Sequence, residues 1–127
     1  MKGLVIKNPW AGFIYYGFKT IETRTWKTDY RGDLLICCSM QFDIKAFGPD
    51  IKSEDRPMCY YKGFAICVAE LWSVGVMHSS DVAAACCKIY PGAYAWRLRN
   101  IRRIEAVLLK GKLRLFDIPA DIEIKYL

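Results

Sequence analysis

The sequence predicts a single α+β domain over residues 1–127, in which strands curl into a small β-barrel and helices cover its ends. A chain of 127 residues suits one core, and a hydrophobic share of 54% supplies the side chains to fill it. Most segments have strand-like patterns, whereas helical patterns occur only near the start and the middle. Closure into a barrel would also remove exposed sheet edges.

A strand and a short helix are expected first. Residues 3–6 form an apolar run of strand-forming side chains. Asn8 and Pro9 then provide an N-cap and a proline for the first helical turn. Gly17 is placed to end this helix, whose apolar stripe consists of Trp10, Phe13 and Ile14.

Two strands and a long connection follow. Residues 19–26 alternate in character and predict a half-exposed strand, and residues 29–32 predict a turn. The apolar run 34–38 predicts a buried central strand, paired antiparallel with the strand before the turn. Residues 40–62 mix charges, prolines and isolated apolar side chains, which indicates a short helix and a long surface connection.

The second half of the chain is predicted to be mostly strand. Residues 64–72 indicate a long strand, and Ser80 with Asp81 forms a cap for a second helix. Lys110 and Gly111 are typical of a hairpin turn between the last two of three final strands, which are residues 94–99, 103–109 and 113–118.

The cysteines and the single histidine argue against disulfide, metal and histidine-dependent chemistry. Six cysteines include two adjacent pairs but no C-x-x-C spacing, so we expect reduced thiols. His78 is the only histidine, and its neighbours predict an exposed loop. We therefore expect neither a zinc site nor a catalytic triad, and no cofactor.

The hydropathy pattern indicates a protein without a membrane segment. No apolar run of about 18 residues occurs. Met1, Lys2 and Gly3 lead directly into the first strand rather than into the apolar region of a signal peptide. We expect a soluble, unexported, cytoplasmic protein that has no membrane partner.

The densest polar group begins at Gly17. If the following strand is regular, Glu22, Arg24 and Trp26 share one face, and Lys19 approaches it from the preceding turn. Residues two apart in a strand lie about 6.5 to 7 Å apart, so Glu22 and Arg24 can pair or hold a ligand between them. The alternatives are a surface ion pair and a binding site in which Lys19 and Glu22 are candidate catalytic groups.

Cations and an aromatic ring continue beyond this strand. Lys27, Tyr30 and Arg31 suit a nucleic acid, because cations neutralise phosphates while rings stack on bases. Trp26 is predicted to be the exposed ring, and a solvated loop is the alternative. The other three tryptophans fall in apolar patterns and are expected in the core, namely Trp10, Trp72 and Trp96.

A second basic patch lies near the third tryptophan. Together with the net charge of +6, it makes an anionic partner credible, although a solvated sheet face explains it equally well. The patch consists of Arg97, Arg99, Arg102 and Arg103.

Over nearly its whole length the chain resembles the ASCH domain family, small relatives of the PUA fold that were first noticed as a module in a transcription coactivator. The likeness rests on four blocks in a fixed order. These are Asn8-Pro9-Trp10-Ala11, then Gly17-x-Lys19-Thr20-Ile21-Glu22-x-Arg24, then Trp26-Lys27-Thr28-x-Tyr30-Arg31-Gly32 running to Ser39, and finally Tyr94-Ala95-Trp96-x-Leu98 followed by Lys110-Gly111-Lys112.

This resemblance implies a PUA-like β-barrel with a cleft between barrel and helices, into which Lys19, Glu22 and Arg24 project. It also implies binding of RNA or another nucleic acid. One branch of the family hydrolyses the amide of N4-acetylcytidine with a lysine, a threonine and a glutamate. Lys19 matches the lysine, whereas Glu22 stands in the threonine's place and Cys67 in the glutamate's. Other members are proposed ribonucleases, a chemistry that Lys19 with Tyr30 and Ser39 would support.

Three functions stay open at this point. In the first, the cleft binds a nucleotide or single-stranded RNA, with Glu22 accepting from a base or ribose, Trp26 stacking, and phosphates held by Lys19, Arg24, Lys27 and Arg31. The second is a hydrolase on a modified nucleoside or on RNA. The third is a protein-interaction domain whose arginine patch meets an acidic partner.

Overall fold

A computed structural model describes residues 1–49 and 51–127 and shows a mostly-sheet α+β protein. The strands within these residues are β1 (Lys2–Asn8), β2 (Ile21–Arg24), β3 (Gly32–Phe42), β4 (Phe64–Val76), β5 (Tyr94–Leu108) and β6 (Leu115–Asp117). The α-helices are α1 (Trp10–Tyr15) and α2 (Val82–Ala85). Three 3₁₀ turns span Ile44–Ala46, Pro57–Tyr60 and Ser79–Asp81.

The strands form one sheet in the order β2-β5-β4-β3-β1-β6. β1 and β3 run parallel, and the other neighbours run antiparallel. Among the described residues, β2 and β6 each pair with a single neighbour, so closure into a barrel is not confirmed. Arg24 in β2 instead reaches the Val5 carbonyl in β1 with its side chain, at 2.8 Å. The α+β class stands, with a curled but open sheet.

Two predicted strand pairings are wrong. β3 lies between β1 and β4, where Leu34 faces Lys2 and Ala69, and it does not pair with β2. Because β3 is buried, water cannot reach its backbone N–H and C=O groups, and strands on both of its edges pair with them, whereas the half-exposed β2 forms an edge beside β5. β6 pairs with β1, so residues 110–111 do not turn a hairpin.

The last strands also differ from the prediction in number. Residues 94–99 and 103–109 were expected to be two strands, but β5 runs through both with an irregularity at Asn100, whose φ is 52°. The pairing of β5 with β4 shifts register between Val68 and Glu70, so the extra residue of β5 is accommodated there as an irregularity of the ladder.

The sheet carries a core on each face. Leu34 and Ile36 point into the larger cluster, which also contains Ile14 of α1 and the fully buried Trp96. Leu35 and Cys37, which lie two residues apart in β3, belong to a second cluster on the opposite face. A smaller cluster packs α2 against β2 and β5. The alternation of β3 between two cores explains why its sequence reads as a continuous apolar run.

The helices are short. α1 begins at Trp10, one residue later than predicted, with Pro9 rather than Asn8 as its N-cap. It ends at Tyr15, shortly before Gly17 with its φ of 84°. In the segment 40–62, which was predicted to hold a short helix and a long connection, β3 continues to Phe42 and two short 3₁₀ turns follow. Asp50 within it lies outside the described residues. In the part of the chain that is described, no helix has the length and apolar character needed to cross a membrane.

Candidate functional site

A pocket of about 800 Å³ opens where β1 approaches β2. Its volume is typical of small-molecule and cofactor sites. The walls come from β1, β2, the end of β3, the start of α1 and the segment that connects β5 to β6. The polar and charged side chains among the lining residues are Lys7, Trp10, Lys19, Glu22, Thr23, Arg24, Ser39, Gln41, Asp43, Tyr90, Lys110, Lys112 and Arg114.

Lys19 is buried in the pocket wall, with only 2% of its side chain exposed. Its Nζ donates a hydrogen bond to the Ala85 carbonyl at the end of α2. The same atom lies 3.6 Å from Glu22 Oε1 and 5.0 Å from the centre of the Trp10 ring. A carbonyl, a carboxylate and an aromatic face therefore compensate the buried ammonium group.

Glu22 and Arg24 complete a polar triad with Lys19. Glu22 Oε2 accepts from Arg24 Nη2 at 3.0 Å, and Glu22 Oε1 accepts from the Thr23 backbone N–H at 3.2 Å. Arg24 Nη2 also donates to the Val5 carbonyl at 2.8 Å. The polar triad thus connects the end of α2, strand β2 and strand β1. Among the described residues, the buried Arg24 Nε has no hydrogen-bond partner.

Other residues of the predicted site lie apart from this pocket. Ser39 lines it, whereas Lys27, Tyr30 and Arg31 do not. Tyr30 donates its hydroxyl proton to the Asp33 carbonyl at 2.6 Å, and Arg31 donates to two carbonyls of its own turn. These two side chains stabilise the loop that leads into β3.

The tryptophans are arranged differently from the prediction. Trp26 is half-buried, packs edge-on against Trp96 with ring centres 4.7 Å apart, and lies under the Arg114 guanidinium. Trp72, expected in the core, is 45% exposed. Trp10, also expected there, is half-buried and lines the pocket. Only Trp96 of the three expected core rings is fully buried, because β5 faces the main core at that position.

The arginine patch is engaged in internal contacts. Three of its members form ion pairs, namely Arg97 with Asp81, Arg99 with Glu70, and Arg102 with Asp33. The hydrogen bond from Arg102 holds the pKa of Asp33 below its ordinary value. The fourth, Arg103, lies over the Tyr15 ring at 4.6 Å and donates to the Tyr15 carbonyl. Three of the four charges of the patch are therefore compensated within the protein, and among the described residues only the exposed Arg103 has no carboxylate partner.

Four exposed cations at the pocket mouth escaped the sequence reasoning. These rim cations are Lys7, Lys110, Lys112 and Arg114. Within the described chain none of them forms an ion pair. Gly111 lies so close to β1 that an added Cβ would come within 2.1 Å of Val5 Cγ2, so the segment follows β1 only with glycine there. The Lys110-Gly111-Lys112 sequence is the local signal of this segment, but it equally suits the predicted hairpin turn, which the structure does not contain.

The pocket concentrates the positive charge of the protein. Its lining holds six cations, of which four are the rim cations, and two carboxylates, Glu22 and Asp43. The lining therefore has a net charge of +4, out of +6 for the whole chain. Such a concentration raises the local potential and attracts anions.

Cys67 does not take part in this site. It is fully buried in the main core, and burial raises the pKa of its thiol. All six cysteines are free thiols, of which Cys38 and Cys87 line the pocket.

The fold and the pocket define a small α+β protein whose curled sheet encloses a cationic cavity. A family model of the ASCH domain matches residues 4–107. Since this match spans most of the 127 residues, the chain belongs to the ASCH domain family. No curated protein matches the sequence. The segment with three of the rim cations follows the matched region.

Proposed function

We propose that the pocket binds a single-stranded RNA segment or a nucleotide. The observation that carries this proposal is the net charge of +4 on the lining of one 800 Å³ cavity. ASCH domains are generally thought to bind RNA, which agrees with the charge. Phosphate contacts supply most of the affinity of such interactions, and unstacked bases fit concave sites better than a duplex does.

The rim cations are the phosphate contacts in this proposal. They are exposed, and no carboxylate of the described chain forms an ion pair with them, so a ligand phosphate need not displace one. Arg114 also lies over the Trp26 ring. Lys19 is too deeply buried for the phosphate role suggested by its sequence, and it serves to hold Glu22 and the end of α2. Trp10 replaces Trp26 as the ring available to a base.

The contacts of the polar triad favour binding over hydrolysis. A general base must be free to take a proton from water or substrate. Lys19 Nζ is held by the Ala85 carbonyl and Glu22, and Glu22 is held by Arg24 and a backbone N–H. We expect no release of acetate from N4-acetylcytidine and no cleavage of a mixed-sequence oligoribonucleotide. Turnover that disappears in Lys19→Met would reverse this choice.

Salt-dependent RNA binding tests the proposal directly. Fluorescence anisotropy with a labelled eight-nucleotide single-stranded RNA gives the dissociation constant between 50 and 300 mM KCl. If the segment after β5 contacts three phosphates, the triple variant Lys110→Ala, Lys112→Ala, Arg114→Ala flattens the slope of log K against log salt by about 2.

A matched control distinguishes the effect of the pocket cations from the effect of the overall net charge. The triple variant Lys52→Ala, Lys88→Ala, Lys125→Ala removes the same charge from exposed positions outside the pocket. We expect it to keep the wild-type slope to within about 0.5. An equal loss in both triple variants, or an unchanged slope in the first, would contradict the proposal.

A further inference from the structure

Asp43 has an unusual position in the pocket wall. It precedes the 3₁₀ turn Ile44–Ala46 as its N-cap, yet its side chain makes no capping hydrogen bond. Instead, Asp43 Oδ2 accepts from Trp10 Nε1 at 2.9 Å. The Asp43 backbone N–H donates to the Asn8 carbonyl, and its carbonyl accepts from Ala46 N. These contacts hold the carboxylate at the edge of the Trp10 ring.

The charge of this carboxylate is not compensated within the protein. Among the described residues Asp43 forms no ion pair, although six cations share its pocket. Glu22, the other lining carboxylate, lies within reach of Lys19 and Arg24. Asp43 Oδ1 also has no hydrogen-bond partner in the described part of the chain. Asp43 is half-buried, so water can reach its free oxygen. In a bound complex this carboxylate repels phosphate and accepts hydrogen bonds from neutral donors of the ligand.

We propose that Asp43 selects a guanine base, an inference that rests on the RNA-binding function proposed above. The Watson–Crick edge of guanine presents two adjacent donors, N1–H and N2–H, which match the two oxygens of a carboxylate. Adenine and cytosine place a ring acceptor beside their amino group, and uracil has one N–H between two carbonyls. Single-stranded RNA is read by stacking on a ring together with hydrogen bonds to base edges. Trp10 and Asp43 offer these two elements side by side.

Heptaribonucleotides with one variable base test the selection. The probes are UUUNUUU sequences in which N is G, A, C or U, measured by fluorescence anisotropy at fixed salt. We expect the G-containing probe to bind at least about fivefold more tightly than the all-U probe. Inosine at the same position lacks the 2-amino group and loses most of this preference. A 2′-deoxyguanosine keeps it, because the contact is to the base.

The variant Asp43→Asn isolates the carboxylate. Its amide oxygen still accepts from Trp10 Nε1, but its NH₂ group faces the guanine donors, so we expect the preference for G to disappear. Binding of the all-U probe stays equal or tightens, because a negative charge leaves the cationic pocket. Asp29→Asn makes the same charge change at an exposed turn outside the pocket and serves as the control. It keeps the preference.

The outcomes separate this inference from the proposed function. Equal binding of all four probes, or a G preference that persists in Asp43→Asn, overturns the role of Asp43 and leaves RNA binding intact. If the preference for G disappears with the 2′-deoxyguanosine probe, the contact is to the ribose, and the inference is overturned as well. No binding of any probe overturns both proposals.

Discussion

At the scale of single residues, Asn8 joins three backbone segments. It is completely buried. Its Nδ2 donates to the carbonyls of Met58 and Tyr61 at 2.8 and 2.9 Å, and its Oδ1 accepts from Gly12 N at 2.8 Å. These hydrogen bonds tie α1 to the Pro57–Tyr60 turn, next to the Trp10 wall of the pocket.

We expect Asn8→Ala to lower the free energy of unfolding by about 3 kcal/mol, because one buried and two partly buried backbone groups lose their hydrogen-bond partner. Urea denaturation measures this value. Asn100→Gly is the control, since Asn100 is exposed and its φ of 52° suits glycine. It should change stability by less than about 0.5 kcal/mol. A loss below about 1 kcal/mol for Asn8→Ala would show that water replaces the amide.

Lys19→Met is expected to lower the free energy of unfolding by about 3 kcal/mol, because it breaks a buried ion pair and leaves the Ala85 carbonyl unpartnered. In the Lys19→Met variant, the further change Glu22→Gln should lower the free energy of unfolding by less than it does in the wild type, because the two charges are coupled. The exposed rim residue provides the comparison, as Lys112→Met should be nearly neutral. Additive losses in the double variant would mean that the two side chains act independently.

Sequence spacing predicted part of this residue-level picture. Glu22 and Arg24 lie on one face of a strand because side chains two apart point the same way, and the structure brings them together at 3.0 Å. The burial of Lys19 was not predictable, because its partner Ala85 is 66 residues away. Asp43 gave no signal either, since only the fold brings it to Trp10.

At the scale of elements, Asp81 connects α2 to β5. It accepts from the His78 backbone N–H at 2.8 Å and pairs with Arg97 at 3.2 Å, and its side chain is 9% exposed. The His78 backbone hydrogen bond and the Arg97 charge hold the pKa of Asp81 below its ordinary value of 3.8. A carboxylate with a lowered pKa stabilises the fold at pH values above the unfolded pKa, and this contribution is lost as pH falls through the folded pKa.

We therefore expect Asp81→Asn to reduce the free energy of unfolding at pH 7 and to flatten its decline on acidification below about pH 4. Urea denaturation at several pH values between 3 and 7 gives the two curves. Asp121→Asn, at an exposed position, is the control and should leave the curve unchanged in shape. Parallel curves for wild type and Asp81→Asn would contradict the linkage.

Local patterns predicted which segments become strands better than which strands pair. The run 34–38 became the buried centre of β3, because continuous apolar character marks burial on both faces. Its partners are β1 and β4, and the parallel β1 pairing depends on a crossover that no local pattern encodes. β6 has three residues, too few to specify a partner in the sequence.

At the scale of the whole molecule, the cysteines divide by accessibility. Burial raises the pKa of Cys37 and Cys38 to about 12 and that of Cys59 to about 11, and Cys67 is also fully buried. Cys86 and Cys87 are half-buried at the end of α2.

We expect at most two thiols to react with a disulfide reagent at pH 8 before unfolding and all six to react in urea, because only thiolates attack and buried thiols stay protonated. Bound RNA should slow the labelling of Cys87, which lines the pocket. Comparison with the variant Cys87→Ser shows how much of the labelling of the native protein comes from Cys87. Fast labelling of more than two native thiols would indicate that the core opens readily.

The positions of the positive charges in the folded protein are the property that is hardest to predict from the sequence. The net charge of +6 is evident from the sequence, and the four arginines of the patch are close neighbours along the chain. Three of them form ion pairs with Asp33, Glu70 and Asp81. The rim cations, which form no ion pair among the described residues, come from Lys7 and from residues 110–114, about a hundred positions apart, and they lie together where β6 pairs with β1.

The hydrogen bond from Arg24 to the Val5 carbonyl joins β2 to β1, two strands that share no backbone pairing among the described residues. A single side chain therefore connects the two sides of the pocket. If this bond holds the edge strand in place, Arg24→Met makes hydrogen exchange in β2 faster than in the wild type. Unchanged exchange in β2 would mean that the backbone pairing with β5 alone secures this strand.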